Sequence, residues 1–236
     1  MLMKYQKLHF NEIDSTNNYL KNSYRLISNF TFVSTDYQSK GKGRNNRSWT
    51  SKPGENLMFS FLIKDEALII HAPIISLLTA IEVAKLLEAY KIPNVSIKWP
   101  NDVLIDDEKV CGILAEGELP SYLIVGVGIN VNQKEFPNDL RRPATSLSIK
   151  LKKEINIDEL KDTLFDQIVS SLSNLDFDKK LDYFRKHNYL LNKRVKAIFD
   201  NQEFIGEVIG IDDSFCLQIQ SRDVVLNIDS GEIEIL

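Results

Sequence analysis

Two apolar, strand-patterned runs, Phe30–Asp36 and Leu57–Ile63, bracket a segment that cannot itself be core: Gly41-Lys42-Gly43-Arg44-Asn45-Asn46-Arg47-Ser48-Trp49. A chain written this way must present a basic, glycine-containing loop between two strands. No Asp or Glu occurs between Tyr37 and Gly54, so Lys40, Lys42, Arg44, Arg47 and Lys52 have no acidic neighbour along the chain. Glycine lets backbone approach a ligand closely. Successive backbone N–H groups in such a turn form a concave anion site, and Trp49 adds a flat apolar face. The combination suits a nucleoside phosphate, although a solvated basic loop has the same composition. No Gly-Lys-Ser/Thr closes it, so it is not a Walker A loop.

The remaining pattern predicts an α+β fold. Lys7–Ile13 reads as a strand, and Asp14-Ser15-Thr16 as a helix start with Leu20, Tyr24 and Ile27 on one face. The apolar stretch around Ala67–Leu87 is broken by Pro73 and carries His71, Glu82 and Lys85, which fits a buried amphipathic helix; Pro73 suits a first helical position, and Ile74–Tyr90 has helical periodicity. Val95–Trp99 is a short strand. Val103–Ile105 and Lys109–Leu114 flank Asp106-Asp107-Glu108 as a hairpin. Tyr122–Val131 is an apolar strand, and Ile157–Leu175 and Phe177–His187 are helices. From Lys193 short strands alternate with turns at Asp200-Asn201, Asp212-Asp213-Ser214, Ser221-Arg222-Asp223 and Asp229-Ser230-Gly231. That predicts a small all-β module whose core is too small to stand alone, so it should dock on the main body. The division expected is 1–188 and 189–236. Strands and helices mix without regular βαβ alternation, which argues for a mixed sheet.

Bulk properties narrow the function. The chain has 236 residues and a formal net charge of -4, against which the basic loop stands out and broad nucleic-acid binding is disfavoured. Cys111 and Cys216 lack paired spacing, so neither a disulfide scaffold nor a zinc site is expected, and a reducing, cytoplasmic setting fits. His9, His71 and His187 show no ligand spacing, so no protein-bound metal is expected. No signal peptide or membrane span is visible.

Three further segments carry unusual residues. Asp14-Ser15-Thr16-Asn17 can cap a helix or bind a polar ligand. Lys98-Trp99-Pro100-Asn101-Asp102, followed by Lys109-Val110-Cys111-Gly112-Ile113-Leu114, places a lysine on each side of a turn. Gly126-Val127-Gly128-Ile129-Asn130 puts glycines inside a strand, which weakens it unless something approaches closely. Taken in order with the basic loop, these resemble the biotin–protein ligases, whose motifs run from Ser-Thr-Asn through the glycine/arginine loop and Lys-Trp-Pro-Asn-Asp to Gly-x-Gly-Ile-Asn. Ala144-Thr145-Ser146-Leu147 is also similar to the family. The likeness extends over nearly the whole chain.

The resemblance implies a mixed sheet with helices, like that of class II aminoacyl-tRNA synthetases and biotin–lipoyl ligases, with a small C-terminal SH3-like β-barrel. It implies activation of biotin by ATP, with Mg²⁺, to biotinyl-5′-AMP, and transfer to a lysine of a biotin carboxyl carrier protein domain. By resemblance, Ser15, Thr16, Asn17 and Gln38 surround the bicyclic ring. Lys42, Gly43 and Arg44 lie over the carboxylate and adenylate phosphate. Arg44, Arg47, Trp49, Lys109 and Asn130 serve the nucleotide, with Trp49 beside adenine. Lys109 and Arg44 carry catalysis, Asp102 helps hold the reactive groups or caps its turn, and Gly112 and Gly128 admit biotin.

Three departures stand out. Lys42 replaces a frequent Arg and cannot make a forked contact. Asn46 replaces a frequent Gly. Ile233-Glu234-Ile235-Leu236 stands where some relatives carry an Arg that reaches the nucleotide. Many relatives carry an N-terminal DNA-binding domain. Here the motif series begins almost at Met1, so no specific DNA partner is expected; a homodimer is compatible with the pattern. The rival readings are a lipoate or octanoate ligase on the same fold and a nucleic-acid-binding module using the loop and the β-rich tail.

Overall fold

The computed structural model describes residues 4–45, 47–137, 140–199 and 202–236. Asn46 and the Asp200-Asn201 turn lie outside them. The main body is a seven-stranded mixed sheet of order β1-β2-β3-β7-β6-β5-β4. Strand β1 (Gln6–Ile13) leads through helix α1 (Thr16–Ser23) into β2 (Thr31–Gln38), and the two strands pair in parallel. All other pairings in the sheet are antiparallel, among β3 (Asn56–Ile63), β4 (Val95–Lys98), β5 (Asp102–Ile105), β6 (Glu108–Glu118) and β7 (Tyr122–Asn130).

Strand alternation sorts the apolar residues onto two faces. Phe32, Phe59, Phe61, Val125 and Val127 belong to the main core, whereas Val33, Leu62 and Ile124 join Leu20 of α1 in a smaller cluster. Because both faces are covered, β3 is buried along its whole length, which is why it reads as a continuous apolar run. Phe165 of α5 (Ile157–Ser173) seals the main core, its ring centroid 4.3 Å from that of Phe32 and 4.7 Å from that of Phe59.

The helix expected to start at Pro73 and run through Ile74–Tyr90 is present, and a separate short helix that was not expected precedes it. A four-residue α2 (Glu66–Ile69), capped by Asp65, stops before His71, and α3 (Ala72–Ala89) starts there with Pro73 in its first turn. Pro73 has no N–H to donate into a preceding turn, so continuation across it is not available. Nor is α3 simply amphipathic: eleven of its residues are buried, Glu82 among them. The short α4 (Leu147–Leu151), capped by Ser146, was not legible in the pattern. Helix α6 (Phe177–His187) completes the main body.

Strands β8 (Arg194–Phe199), β9 (Gln202–Ile211), β10 (Leu217–Ser221), β11 (Val224–Ile228) and β12 (Glu232–Ile235) form a separate antiparallel sheet of order β11-β10-β9-β8-β12, the SH3-like module. Its inner residues, including Val195, Ala197 and Phe215, are continuous with the main core. Trp99 Nε1 donates to the Phe215 carbonyl at 3.2 Å across the junction. The expected docking of the tail is therefore observed.

Glu82 sits among α3, α5 and α6 with its carboxylate 2.8 Å from Lys180 Nζ; both residues are only 4% exposed. Ser171 and Gln167 donate to the same carboxylate. Burial alone would raise the Glu82 pKa, but the Lys180 charge and these donors outweigh it and hold it below the ordinary value. Lys85 Nζ also lies 3.2 Å from this carboxylate, but its side chain is 37% exposed, so removing the buried Lys180 leaves the buried Glu82 charge under-compensated. Lys180→Ala is therefore expected to cost about 3–5 kcal/mol in urea denaturation, and Lys180→Met combined with Glu82→Gln much less. In the wild type this contribution is fully present above the unfolded carboxylate pKa. It is lost as pH falls through the lower folded value, so the penalty of Lys180→Ala should shrink in acid.

Candidate active site

A two-lobed cleft opens over the glycine-bearing strands β6 and β7. Its first lobe is lined by Ser15, Asn17, Gln38, Gly112 and Gly126, its second by Thr50, Asn130, Phe136 and Ala144. Trp49, Lys98, Asp102, Lys109 and Arg141 line both.

The floor of the first lobe is a polar cluster on an apolar sheet. Ser15 caps α1. Thr16 donates to Gln38 Oε1 from its backbone N–H (2.8 Å) and its hydroxyl (3.0 Å). The Thr16 and Ser60 hydroxyls are 2.6 Å apart, and Ser60 Oγ is 2.6 Å from Asn17 Oδ1. The backbone N–H of Thr16 fixes which end of the Gln38 amide faces it. The Asn17 amide is fixed by Glu116, whose Oε2 accepts from Asn17 Nδ2 at 2.7 Å. Thus three oxygen–oxygen contacts, Gln38–Thr16, Thr16–Ser60 and Ser60–Asn17, share two hydroxyl hydrogens. The cluster is one donor short, and a ligand bringing N–H groups would supply it.

The basic loop leaves β2 and folds back on the cleft through the Lys42–Ser48 bridge. Its cations find partners far away in the chain. Lys42 Nζ donates to Asn18 Oδ1 at 2.8 Å. Arg44 reaches Asn101 Oδ1 at 3.2 Å and the Gly231 carbonyl at 2.9 Å, while Arg47 pairs with Glu232. Gly43 N–H donates to the Arg47 carbonyl at 2.7 Å, closing the turn. Burial lowers the Arg44 pKa, with Asp102 opposing the shift, but a guanidinium keeps its charge at neutral pH.

Lys109 stands at the junction of the lobes. Its ammonium is 2.7 Å from Asp102 Oδ1, a charge pair rather than an aligned hydrogen bond, and 5.7 Å from the Trp49 ring centroid. Its backbone is clamped: N–H donates to the Pro143 carbonyl (2.8 Å) and C=O accepts from Thr145 N–H (3.0 Å). Asn130 Nδ2 donates to the Thr145 carbonyl at 3.0 Å, so Asn130 lines the second lobe while its amide group braces this clamp. Of the two parts expected of Asp102, the geometry shows its carboxylate facing Lys109.

The glycines have identifiable tenants. A Cβ on Gly128 would lie 2.6 Å from Trp49 Cε2, one on Gly112 3.1 Å from Trp49 Cζ3, and one on Gly126 2.3 Å from Asn17 Oδ1. The indole of Trp49 makes the close approach at Gly128, and at Gly112 it shares that place with Lys109, whose Nζ would lie 3.0 Å from an added Cβ.

The cleft thus brings together Ser15, Thr16, Asn17, Gln38, Lys42, Gly43, Arg44, Arg47, Trp49, Asp102, Lys109, Gly112, Gly128 and Asn130 in two connected lobes. Ser60, Glu116, Lys98, Arg141 and Glu232 were not assigned from the sequence. Lys98 had a signal, its place in Lys-Trp-Pro-Asn-Asp. Its Nζ donates to the Ile233 carbonyl at 2.8 Å, and burial, with Arg142, Arg141 and Lys109 nearby, lowers its pKa to about 8 although Asp102 opposes. Arg141 belongs to an adjacent arginine pair after β7. Glu232 has no local signal. The buried Cys111 thiol is pushed up by burial and takes no part as a nucleophile.

Residues 10–132 match the biotin/lipoate A/B protein ligase family, over half of the chain. The bifunctional ligase/repressor BirA of Bacillus subtilis is 30% identical over 223 residues, covering 87% of this chain and 66% of the BirA chain, just under two thirds. The biotin–[acetyl-CoA-carboxylase] ligase of Mycobacterium tuberculosis is 27% identical over 206 residues, 81% of this chain and 74% of its own. Biotin protein ligase from Aquifex aeolicus, solved with biotin and ATP, superposes with a TM-score of 0.85 at 29% identity over 98% of both chains. The chain belongs to the biotin/lipoate A/B protein ligase family.

Gly128→Ala is expected to evict the indole from its seat. Acrylamide quenching should then increase through Trp49, which is only partly buried to begin with, while Trp99 stays buried at 2% exposure. Unchanged quenching would mean that the seat tolerates a methyl group.

Proposed function

We propose that this protein is an ATP-dependent biotin–protein ligase that forms biotinyl-5′-AMP and transfers biotin to a lysine of a biotin carboxyl carrier protein domain. The observation that carries the reading is Lys109 at the junction of the two lobes, one polar and donor-poor, the other beside Asn130. The likeness to the Aquifex enzyme crystallised with biotin and ATP supports it along the chain's length. The donor-short cluster at Thr16, Ser60 and Asn17 favours biotin, whose ureido group carries two N–H groups, over lipoate or octanoate, which have none at that end. The acidic net charge and the closed pairing of the loop cations weigh against a nucleic-acid-binding module.

In this reading Ser15, Thr16, Asn17 and Gln38 hold the biotin head, with Gly112 and Gly128 as wall. Lys42, Gly43 and Arg44 cover the carboxylate, and Arg47, Trp49 and Asn130 serve the nucleotide. A biotin carboxylate oxygen attacks the α-phosphorus of ATP, supplied as its Mg²⁺ complex, and the bond to the bridging oxygen breaks to release pyrophosphate. Two anions must meet, so Lys109 and Arg44 screen the approach and stabilise charge at phosphorus. The acceptor lysine amine then attacks the acyl carbon, AMP leaves, and the lost proton can pass to Asp102. No protein nucleophile is needed; positioning and electrostatics carry the rate. The work divides between a catalytic unit, 1–188, and the module 189–236. Among the described residues no helix is long and apolar enough to cross a membrane; a cytoplasmic setting fits the unpaired cysteines.

Incubation with biotin, MgATP and a carrier domain should biotinylate one carrier lysine, with lipoate inactive. Lys109→Ala should lower biotin-dependent ATP–pyrophosphate exchange by more than ~10-fold, the effect of about 1.4 kcal/mol on the barrier. Exchange at the wild-type rate would remove Lys109 from the chemistry.

A further inference from the structure

Strand β12 is the edge of its sheet: it pairs with β8 on one side only. Its other side faces the cleft, and the polar groups there are taken by cations. The carbonyls of Gly231 and Ile233 accept from Arg44 and Lys98. Glu232 Oε1 receives both Arg47 and, at 3.1 Å, Arg141, while Glu234 Oε2 lies 3.9 Å from Arg141. One carboxylate oxygen held by two guanidinium groups is the arrangement a phosphate oxygen would have in the same place.

The two arginines differ from a buried structural pair. Their side chains are 50% and 51% exposed, whereas Glu232 is 26% exposed. Exposed pairs of this kind stabilise a fold little, so pinning the module is a poor account of two arginines on one acid. Apolar packing and the Trp99–Phe215 bond already hold the module. Arg47 and Arg141 also line both lobes beside Trp49, Lys98 and Lys109. A nucleotide whose α-phosphate lies against Lys109 would extend its remaining phosphates within reach of these groups.

We infer that Arg141, with Arg47, binds the polyphosphate chain of the nucleotide, and that Glu232 is an internal stand-in for phosphate that neutralises both arginines until nucleotide binds and then releases them to it. The inference rests on the ligase reading. Glu232 is then a positioning residue that competes with substrate, since binding must first displace it. Its removal has a sign opposite to that of a structural tie: the arginines become available, and anion affinity rises.

The test uses the full chain and magnesium pyrophosphate as the probe, by calorimetry, together with KM for ATP and for biotin in pyrophosphate exchange. Arg141→Ala should weaken pyrophosphate binding and raise KM for ATP at least ~5-fold with KM for biotin unchanged, and Arg141→Lys should restore part of the loss. Glu232→Gln should tighten pyrophosphate binding about threefold or more. Weaker pyrophosphate binding in Glu232→Gln with an unchanged melting temperature would overturn the stand-in role. Wild-type affinity in Arg141→Ala would overturn the inference as a whole, and does so even if Glu232→Gln fails to fold, because Arg141 lies outside the sheets. Pyrophosphate binding is read without turnover. A wild type that binds it through Arg141 but shows no biotin-dependent exchange would refute the ligase reading and leave the anion site standing.

Discussion

The contact on which this cleft depends is the laying of one sheet edge against another. Strand β4 ends one sheet and β12 ends the other. Edges carry unpaired carbonyls and invite association unless they are covered. Here Lys98, at the end of β4, donates to the Ile233 carbonyl, and Arg44 donates to that of Gly231. Hydrogen bonds from charged donors are worth more than neutral ones, yet they cannot locate the module by themselves. The apolar seam does that, with Phe215 packed near Phe177 and bonded through its carbonyl to Trp99. Packing sets where β12 lies, and β12 then orders the cations of the cleft.

The same division of labour recurs on the strand side. Gly112, Gly126 and Gly128 lie where a side chain would collide with Trp49 or Asn17. A glycine in a strand forgoes packing and costs backbone entropy. That cost is offset only if something else fills the space, and the indole, the Asn17 amide and, at Gly112, the Lys109 side chain do so. The site is thus a surface already occupied by its own side chains. Asn17 is held between Ser60 and Glu116. Trp49 is held between two glycines and beneath Lys109.

Much of this was legible in the residues because it is local. Strand alternation, the Ser15 cap, the proline at the start of α3 and the turn-rich tail each declare themselves within a few positions. What was not legible ahead of α3 is the four-residue α2, a single turn inside a continuous apolar run. Within the site, residues standing in motifs were found, whereas Glu232, Glu116 and Ser60 were not. Glu232 meets Arg47 across 185 positions of sequence separation. Arg47 looked unneutralised because the acid that pairs with it comes from the other end of the chain. Nothing in a window of sequence can announce such a partner; topology supplies it.

Charge in the cleft follows one rule throughout. Each cation is held by something weaker than, or replaceable by, a phosphate. Lys109 faces one carboxylate, Lys98 a carbonyl, and Arg44 a carbonyl and an amide. The lowered pKa of Lys98 is the measurable trace of this arrangement. A neutral carbonyl cannot compensate for burial beside Arg142, Arg141 and Lys109, so the protonated form is under-stabilised. An arriving phosphate reverses that balance and favours the charged lysine. A cleft that adds two anions to one another gains by holding its cations with partners a phosphate can displace, because each can then be stabilised further when the ligand arrives.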